Sequence, residues 1–494
     1  MTTRRLPTPS CSLLACALAI GACHPEPPAT DDTAPPPDSS QPDDTDQHDT
    51  AAPFFTDFAF TRSERVPTVV TATWHTQEPV ACTLRYAAEG GAELTTREAG
   101  DPRTEHSVAL VGLKPNASAA LVVIAEAADG PESSDPQAFT TGELPVGLPT
   151  ATLVLDDPTQ SFHGYTLMPL INDSAWTSWI CLFDSDAELV WAIEARHGAN
   201  RARLAEDGGG VIFIDEDMVE GTDDVLGAVH SVAWDGTERW RFEGAEIHHD
   251  FADLGDDRYL VLAHTVRIVD EGLPTEQGYL GDALVEFTSA GDSHEIWNLF
   301  DDLDPVEHPS NDTAPAPDSG FWDWSHANYL TWVPESGEVL ITLRQQDAIV
   351  AVDVDAGRMS WSLSNDWGTY HATDGETLLS WPHSVEPVEG GLAIFNQVPQ
   401  WERDACSWAG LLTLDPARGT ASVGRRYESE DCAHVFYLGS TEPLPNGHDL
   451  VVFSQSGFME EVTPEGEVVR QVQSTFGWTM GYTHTIADLR PVAP

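Results

Sequence analysis

Phe321 to Arg344 reads FWDWSHANYLTWVPESGEVLITLR, and the fold is decided there. His326 and Asn328 stand two apart, so on an extended chain they share one face. The turn Pro334-Glu335-Ser336-Gly337 follows, then the apolar run Val339 to Leu343, and then Arg344. This is a β-hairpin that carries polar groups at matching ends. A guanidinium fork beside an imidazole and an amide suits a small oxyanion such as sulfate or phosphate.

Working outward, the same grammar recurs from about Thr150 to Pro494. An apolar run leads to an acidic or Gly turn and then to a Trp or another apolar residue. Six instances can be read, and four of them end on Trp191, Trp240, Trp297 and Trp361, with gaps of 49, 57 and 64 residues. Repeats of about this length, each made of several short strands, indicate propeller blades. Long stretches of period 3.6, which a helical solenoid needs, are absent. The expected fold is all-β, with a six-bladed β-propeller over residues 146–494. The earlier half of each repeat has its own leading residue. His249 leads DFADLGDDRYLVLAH, His326 leads ANYLTWVPESGEVLITL and His383 leads SVEPVEGGLAIFNQ. Placed at one structural position on successive blades, these three histidines would ring a single axis.

Upstream, Phe54 to Thr141 alternates on a period of two in runs such as TVVTATWHT and AALVVIAEA, separated by Gly, Pro and Asn clusters. A small antiparallel β-sandwich is expected over 53–145. Trp74 and Leu113-Lys114-Pro115-Asn116 resemble a fibronectin type III domain. No acid–base constellation occurs there, so the unit reads as a spacer or assembly module, with Cys82 a buried thiol. Residues 23–52, rich in Pro, Asp and Thr, cannot bury apolar surface and read as a disordered acidic linker. Arg4 and Arg5, the apolar run Ser12 to Ile20 and then Ile20-Gly21-Ala22-Cys23 resemble a bacterial lipoprotein signal over residues 1–22. That run is too short to span a bilayer. The resemblance implies cleavage before Cys23, lipidation of its sulfur, and a membrane anchor in the cell envelope. His24 in place of Asp implies the outer membrane, facing the periplasm or the cell surface.

With 23 Lys and Arg against 81 Asp and Glu, the chain carries a formal charge of −58. Nucleic acid is excluded as a partner, because its phosphates would be repelled. The charge fits a highly soluble protein. No EF-hand loop is present to make it a calcium store. No phosphate-cradling Gly-Lys loop is present either, and no cofactor is called for.

As a set, His248-His249-Asp250-Phe251, Asp323 to Asn328 (DWSHAN), Leu343 to Ala348 (LRQQDA), and Pro382-His383-Ser384 with Phe395-Asn396 resemble the bacterial arylsulfate sulfotransferases. The resemblance implies an N-terminal β-sandwich and a six-bladed propeller. It also implies transfer of a sulfuryl group from a phenolic sulfate ester to a phenol, without a nucleotide sulfate donor. By position, His383 matches the nucleophile that would carry the group as a sulfohistidine in a ping-pong mechanism. Arg344, His326 and Asn328 would hold the sulfate oxygens. His249 would trade the proton. Which of His248 and His249 faces the site stays open, although register with His383 favours His249. Tyr165, in Gly164-Tyr165-Thr166-Leu167, would face the aryl group. Cys406 and Cys432 could close a disulfide, a variant of the family's shorter loop; Cys181 reads as unpaired. The acidic insert Asp301 to Asp318 reads as a flexible loop beside the site. A metal held by the three histidines is less favoured, because no two of them have the close spacing of zinc-ligand pairs. The competing reading is a non-catalytic, envelope-tethered propeller that binds a ligand through a retained anion pocket. A quinoprotein dehydrogenase would need a tryptophan-docking repeat that the chain lacks.

Overall fold

Alternation of apolar and polar residues builds nearly the whole molecule. A computed structural model describes residues 52–489 except 99, 173, 176, 197, 219–224, 270–276, 311–320 and 374. The signal segment, Cys23 and nearly all of the acidic linker lie outside the described residues. Those described, from Pro53 onward, belong to one compact unit. No helix among them is long and apolar enough to cross a membrane.

The N-terminal part is a two-sheet sandwich. Phe55–Arg62, Val70–Val80 and Arg103–Leu110 form one sheet; Leu94–Arg97, Cys82–Ala88, Ser118–Ala127, Gly130–Ser133 and Gln137–Thr140 form the other. Trp74, Leu84, Leu121 and Val123 point inward and are buried. Each fully buried aliphatic side chain is worth roughly 2 kcal/mol of transfer free energy. Cys82 is a buried free thiol. The sandwich is more than a spacer. Val66, Val69 and Val111 share one apolar cluster with Leu167, Trp191 and Trp234 of the next part. Lys114 Nζ meets Asp186 at 2.8 Å and Glu188 at 3.0 Å across the same seam.

The remainder is a succession of four-stranded antiparallel meanders, six of them among the described residues. Their leading strands are His484–Ile486, Arg201–Leu204, Ile247–Gly255, Ala327–Val333, Pro382–Val388 and Ser440–Pro443. Successive leading strands pack side by side. Glu442 accepts Thr483 Oγ1 at 2.8 Å and the Thr485 N–H at 2.6 Å, which joins the last leading strand to the first. The result is a propeller-type ring of sheets around an axis.

Strands from both ends of the propeller part complete sheets. Ala151–Asp156 adds an outer strand beside Val468–Ser474. Thr479–Met480 and His484–Ile486 form the inner edge of the sheet that contains Tyr165–Asn172. The fourth and fifth meanders are also bridged, through Tyr370–Ala372, into one nine-stranded sheet. Cys406 and Cys432 are joined in a disulfide, with Cα atoms 4.8 Å apart. Cys181 is free and buried.

The acidic insert differs from the expected loop over its first residues. Leu299–Asp302 is a short helix, Trp297 Nε1 donates to Asp302 at 2.7 Å, and Trp324 Nε1 donates to the His308 carbonyl at 2.6 Å. Residues 311–320 lie outside the described part.

Candidate functional site

The leading strands start irregularly, and this irregularity makes the site. Pairing slips between His248 and Phe251, between Ala327 and Tyr329, and between Pro382 and Ser384. Each slip is a bulge that turns an extra side chain out of the ladder. In the third meander the extra residues are His249 and Asp250; in the fourth and fifth they are Asn328 and His383. The expectation that His249, His326 and His383 share one position is therefore corrected. His383 is equivalent to Asn328, and His326 is equivalent to Trp381. His249, His326 and Trp381 have φ of 57°, 50° and 45°, left-handed values that cost non-glycine residues roughly 1 kcal/mol or more each. Such strain persists where surroundings hold it, and here they do. Asp347 Oδ1 accepts the Trp381 N–H at 2.7 Å, and the Arg344 N–H donates to the His326 carbonyl at 3.2 Å.

His383 is buried, and its Nδ1 lies 2.9 Å from the Tyr482 hydroxyl. That hydroxyl donates to the Asn328 carbonyl at 2.7 Å. Its one proton is thereby committed, so the Tyr482 oxygen accepts from His383 Nδ1–H. The neutral ring then keeps its lone pair on Nε2. Burial holds the His383 pKa well below the usual imidazole range, and the neighbouring Arg344 and His326 add to the effect.

Arg344 opens a 3-10 turn directly after the strand Glu338–Leu343. Its guanidinium carbon lies 3.5 Å from the centre of the Trp381 ring, and its Nε donates to Gln397 Oε1 at 3.0 Å. Gln397 is fixed in turn by donating to the Leu438 carbonyl at 2.7 Å. Stacking and a hydrogen bond on one edge aim the fork.

His326 Nδ1 meets Asp323 Oδ2 at 2.6 Å, and its side chain is 28% exposed, the open side of the cluster. Burial pushes the Asp323 carboxyl up, but His326 outweighs it and holds the group below its ordinary value. The rings of His249 and His326 meet edge to face at 5.2 Å. Burial, followed by His248, His326 and His383, drives the His249 pKa well down. Asn328 is fully buried; its Oδ1 accepts Thr342 Oγ1 at 2.5 Å, while its Nδ2 has no hydrogen-bond partner among the described residues.

His248 turns away from this group. It is buried, its Nδ1 lies 2.9 Å from His249 Nδ1, and its other edge faces Asp282. Tyr165 lies elsewhere, between the sandwich and the propeller, in a crevice of about 600 Å³ that Gly112 and Lys114 also line. The structure thus brings together His383, Arg344, His326, His249 and Asn328, places His248 behind them, and leaves Tyr165 at the seam.

Two functional residues escaped sequence reasoning. Tyr482 belongs to Gly481-Tyr482-Thr483, a second copy of the Gly-Tyr-Thr triplet at 164–166. Arg201 is fully buried, pairs with Asp250 through Nε at 2.9 Å and Nη2 at 2.8 Å, and lies 4.1 Å and 4.5 Å from the ring centres of Tyr329 and Tyr482. It is the base on which Tyr482 rests.

Residues 152–384 match the family described as Arylsulfotransferase (ASST). His249, His326, Arg344 and His383 all fall inside the match. No curated protein matches the chain. Among solved structures, virginiamycin B lyase from Staphylococcus aureus is similar at 12% identity and a TM-score of 0.27, covering 55% of this chain and 72% of that one. The β-propeller domain of the trilobed protease from Pyrococcus furiosus is similar at 8% identity and a TM-score of 0.31, covering 87% and 94%. An apocarotenoid oxygenase of Synechocystis is similar at 11% identity and a TM-score of 0.29, covering 88% and 95%. At these scores the structural likenesses carry no argument about function.

Proposed function

We propose that the protein is an aryl sulfotransferase that moves a sulfuryl group from a phenolic sulfate ester to a phenol in two displacements through His383. The family match supports an arylsulfotransferase kind of activity. The observation that carries the mechanism is the Tyr482 clamp. With Nδ1–H held by Tyr482, the lone pair of His383 sits on Nε2, in a ring whose charge the neighbouring Arg344 opposes.

In the first displacement His383 Nε2 attacks sulfur. An N–S bond forms, the S–O bond to the aryl group breaks, and the electron pair leaves with the phenoxide. The phenoxide takes a proton from a neighbouring imidazolium. In the second displacement the acceptor phenol returns a proton to that imidazole, its oxygen attacks sulfur, and the N–S bond breaks. Charge that spreads over the three sulfate oxygens is met by Arg344 and by the unpartnered Nδ2 of Asn328.

We assign the proton to His326 rather than to His249. His326 is oriented by Asp323 at 2.6 Å and reaches solvent, so its Nε2 can load and unload a proton. His249 is driven toward the neutral form by burial and by its imidazole neighbours, which suits it to donate a hydrogen bond rather than a proton. Lipidation at Cys23, with tethering to the cell envelope, completes the proposal; labelling by a fatty-acid analogue that vanishes in Cys23→Ser tests that part.

The activity is tested with 4-nitrophenyl sulfate and a phenol acceptor, with and without a chelator. Release of nitrophenol that depends on the acceptor and on His383 supports the proposal. Binding of the ester without any turnover would leave an anion-binding propeller instead.

A further inference from the structure

Behind the histidine cluster, three adjacent strands of one sheet bring His248, His264 and Asp282 together. His264 and Asp282 are direct cross-strand partners, and His248 comes from the leading strand beside them. One potential ligand atom from each lies within 4.8 Å of the others. We propose that these three side chains bind a divalent transition-metal cation of the zinc class. Such a site is separate from the sulfuryl-transfer reading and does not depend on it.

Three observations carry the proposal. First, His248 Nε2 and Asp282 Oδ1 stand 3.0 Å apart in the interior, yet neither makes a hydrogen bond. Two buried polar atoms left so are expensive. A cation between them satisfies both, since two ligands each about 2.1 Å from a tetrahedral Zn²⁺ stand about 3.4 Å from one another.

Second, the other atom of each side chain is already held. Asp282 Oδ2 accepts Ser325 Oγ at 2.6 Å and the Ala327 N–H at 2.8 Å. His264 Nδ1 meets Glu246 Oε2 at 3.3 Å, which leaves Nε2 as its donor. His248 Nδ1 is taken by His249. Carboxylate, hydroxyl and amide groups placed behind the ligand atoms are how metal ligands are oriented.

Third, two imidazoles and one carboxylate are a borderline-soft set that suits Zn²⁺ or a neighbour in its row rather than Ca²⁺ or Mg²⁺. The rings of His248 and His264 stack at 3.9 Å, so their nitrogen edges must tilt together for both to reach one ion. The alternative occupant of the space is a proton, with Asp282 and the two rings forming an ion pair only.

The full chain, stripped with a chelator and dialysed against ZnCl₂, is assayed for bound metal by mass spectrometry, and in parallel for the visible ligand-field absorption of added Co²⁺. The expected result is about one Zn²⁺ per chain, lost in Asp282→Asn and in His264→Gln, weakened about tenfold in Glu246→Gln, and unchanged in the exposed control His371→Gln. If either ligand variant fails to fold, the Co²⁺ spectrum of the wild type decides: a tetrahedral imidazole–carboxylate band supports the site. Wild type without stoichiometric metal, a featureless Co²⁺ spectrum, or binding undiminished in folded Asp282→Asn overturns it. Metal content is read without substrate, so a failure here and a failure of sulfuryl transfer are told apart.

Discussion

Gly164-Tyr165-Thr166 and Gly481-Tyr482-Thr483 are the same three residues, the first opening the strand Tyr165–Asn172 and the second linking the two short strands, Thr479–Met480 and His484–Ile486, that pair with it. Tyr165 pairs with Ile486, whereas Tyr482 precedes that inner strand and bridges to Arg201 of the next sheet. Tyr482 is fully buried and Tyr165 is half-buried. Burial pushes Tyr165 up to about 12, and burial with the nearby Asp250 raises Tyr482 further. Their roles nevertheless diverge. Tyr165 fills the seam with the sandwich beneath Gly112, where any side chain would meet its hydroxyl. Tyr482 rests on Arg201 and orders His383. A motif says which side chain is available; its place between the sheets says where it works.

The comparison can be broken at several places. The largest effect belongs to Arg344. Arg344→Lys keeps the charge but loses the stacked fork over Trp381 and the hydrogen bond to Gln397. Turnover of 4-nitrophenyl sulfate is expected to fall roughly 10²–10³-fold, mostly in kcat.

Next is the tyrosine pair itself. Tyr482→Phe leaves His383 Nδ1 and the Asn328 carbonyl unsatisfied, at about 1–3 kcal/mol, so kcat should drop about 10–100-fold. Tyr165→Phe should stay within about twofold. Equal losses in the two variants would contradict the account.

A smaller and graded effect is expected from pH. His248, His249, His383 and His484 are all held below the ordinary histidine pKa, first by burial, and His484 lies at about 3. These groups bind protons more readily when unfolded, so the stability they contribute is full above pH 6.5 and is lost as pH falls below it. His484 alone should cost on the order of 2 kcal/mol at pH 5. Burial lifts Glu216 to about 7, and it titrates in the opposite sense, offsetting part of the loss. Thermal melts at pH 7.5 and pH 5 measure the balance, expected as a lower Tm in acid. The acid limb of the single-turnover rate, by contrast, should fall only well below pH 6.5, because burial keeps His383, the proposed attacking group, in its neutral form there.

Much of this was legible in the chain. Period-two runs and turn residues announced the sandwich and the repeated meanders, and the hairpin from His326 to Arg344 folds as read. The gathering of His249, His326, Asn328, Arg344 and His383 was expected from the repeats, the hairpin and the family resemblance together, although the repeats gave the three histidines one shared position that they do not have. What escaped has a physical reason in each case. One-residue bulges at strand starts exchange Asn328 for His326 as the equivalent of His383, and no local composition marks a bulge. Left-handed backbone at His249, His326 and Trp381 is imposed by partners such as Asp347, not by residue type. Tyr482 was hidden because its partners, Arg201 in the next sheet among them, lie far from it along the chain. Arg201 looked like an isolated cation, since its Asp250 and tyrosine partners come from other sheets.

The central claim is that His383 itself carries the sulfuryl group. Wild type mixed rapidly with 4-nitrophenyl sulfate in the absence of acceptor, quenched in base and digested, is examined by mass spectrometry. One SO₃ on the peptide that contains His383, discharged on adding a phenol and absent from His383→Ala, is the predicted result. A burst of nitrophenol with no label on that peptide, or full turnover in His383→Ala, would contradict it.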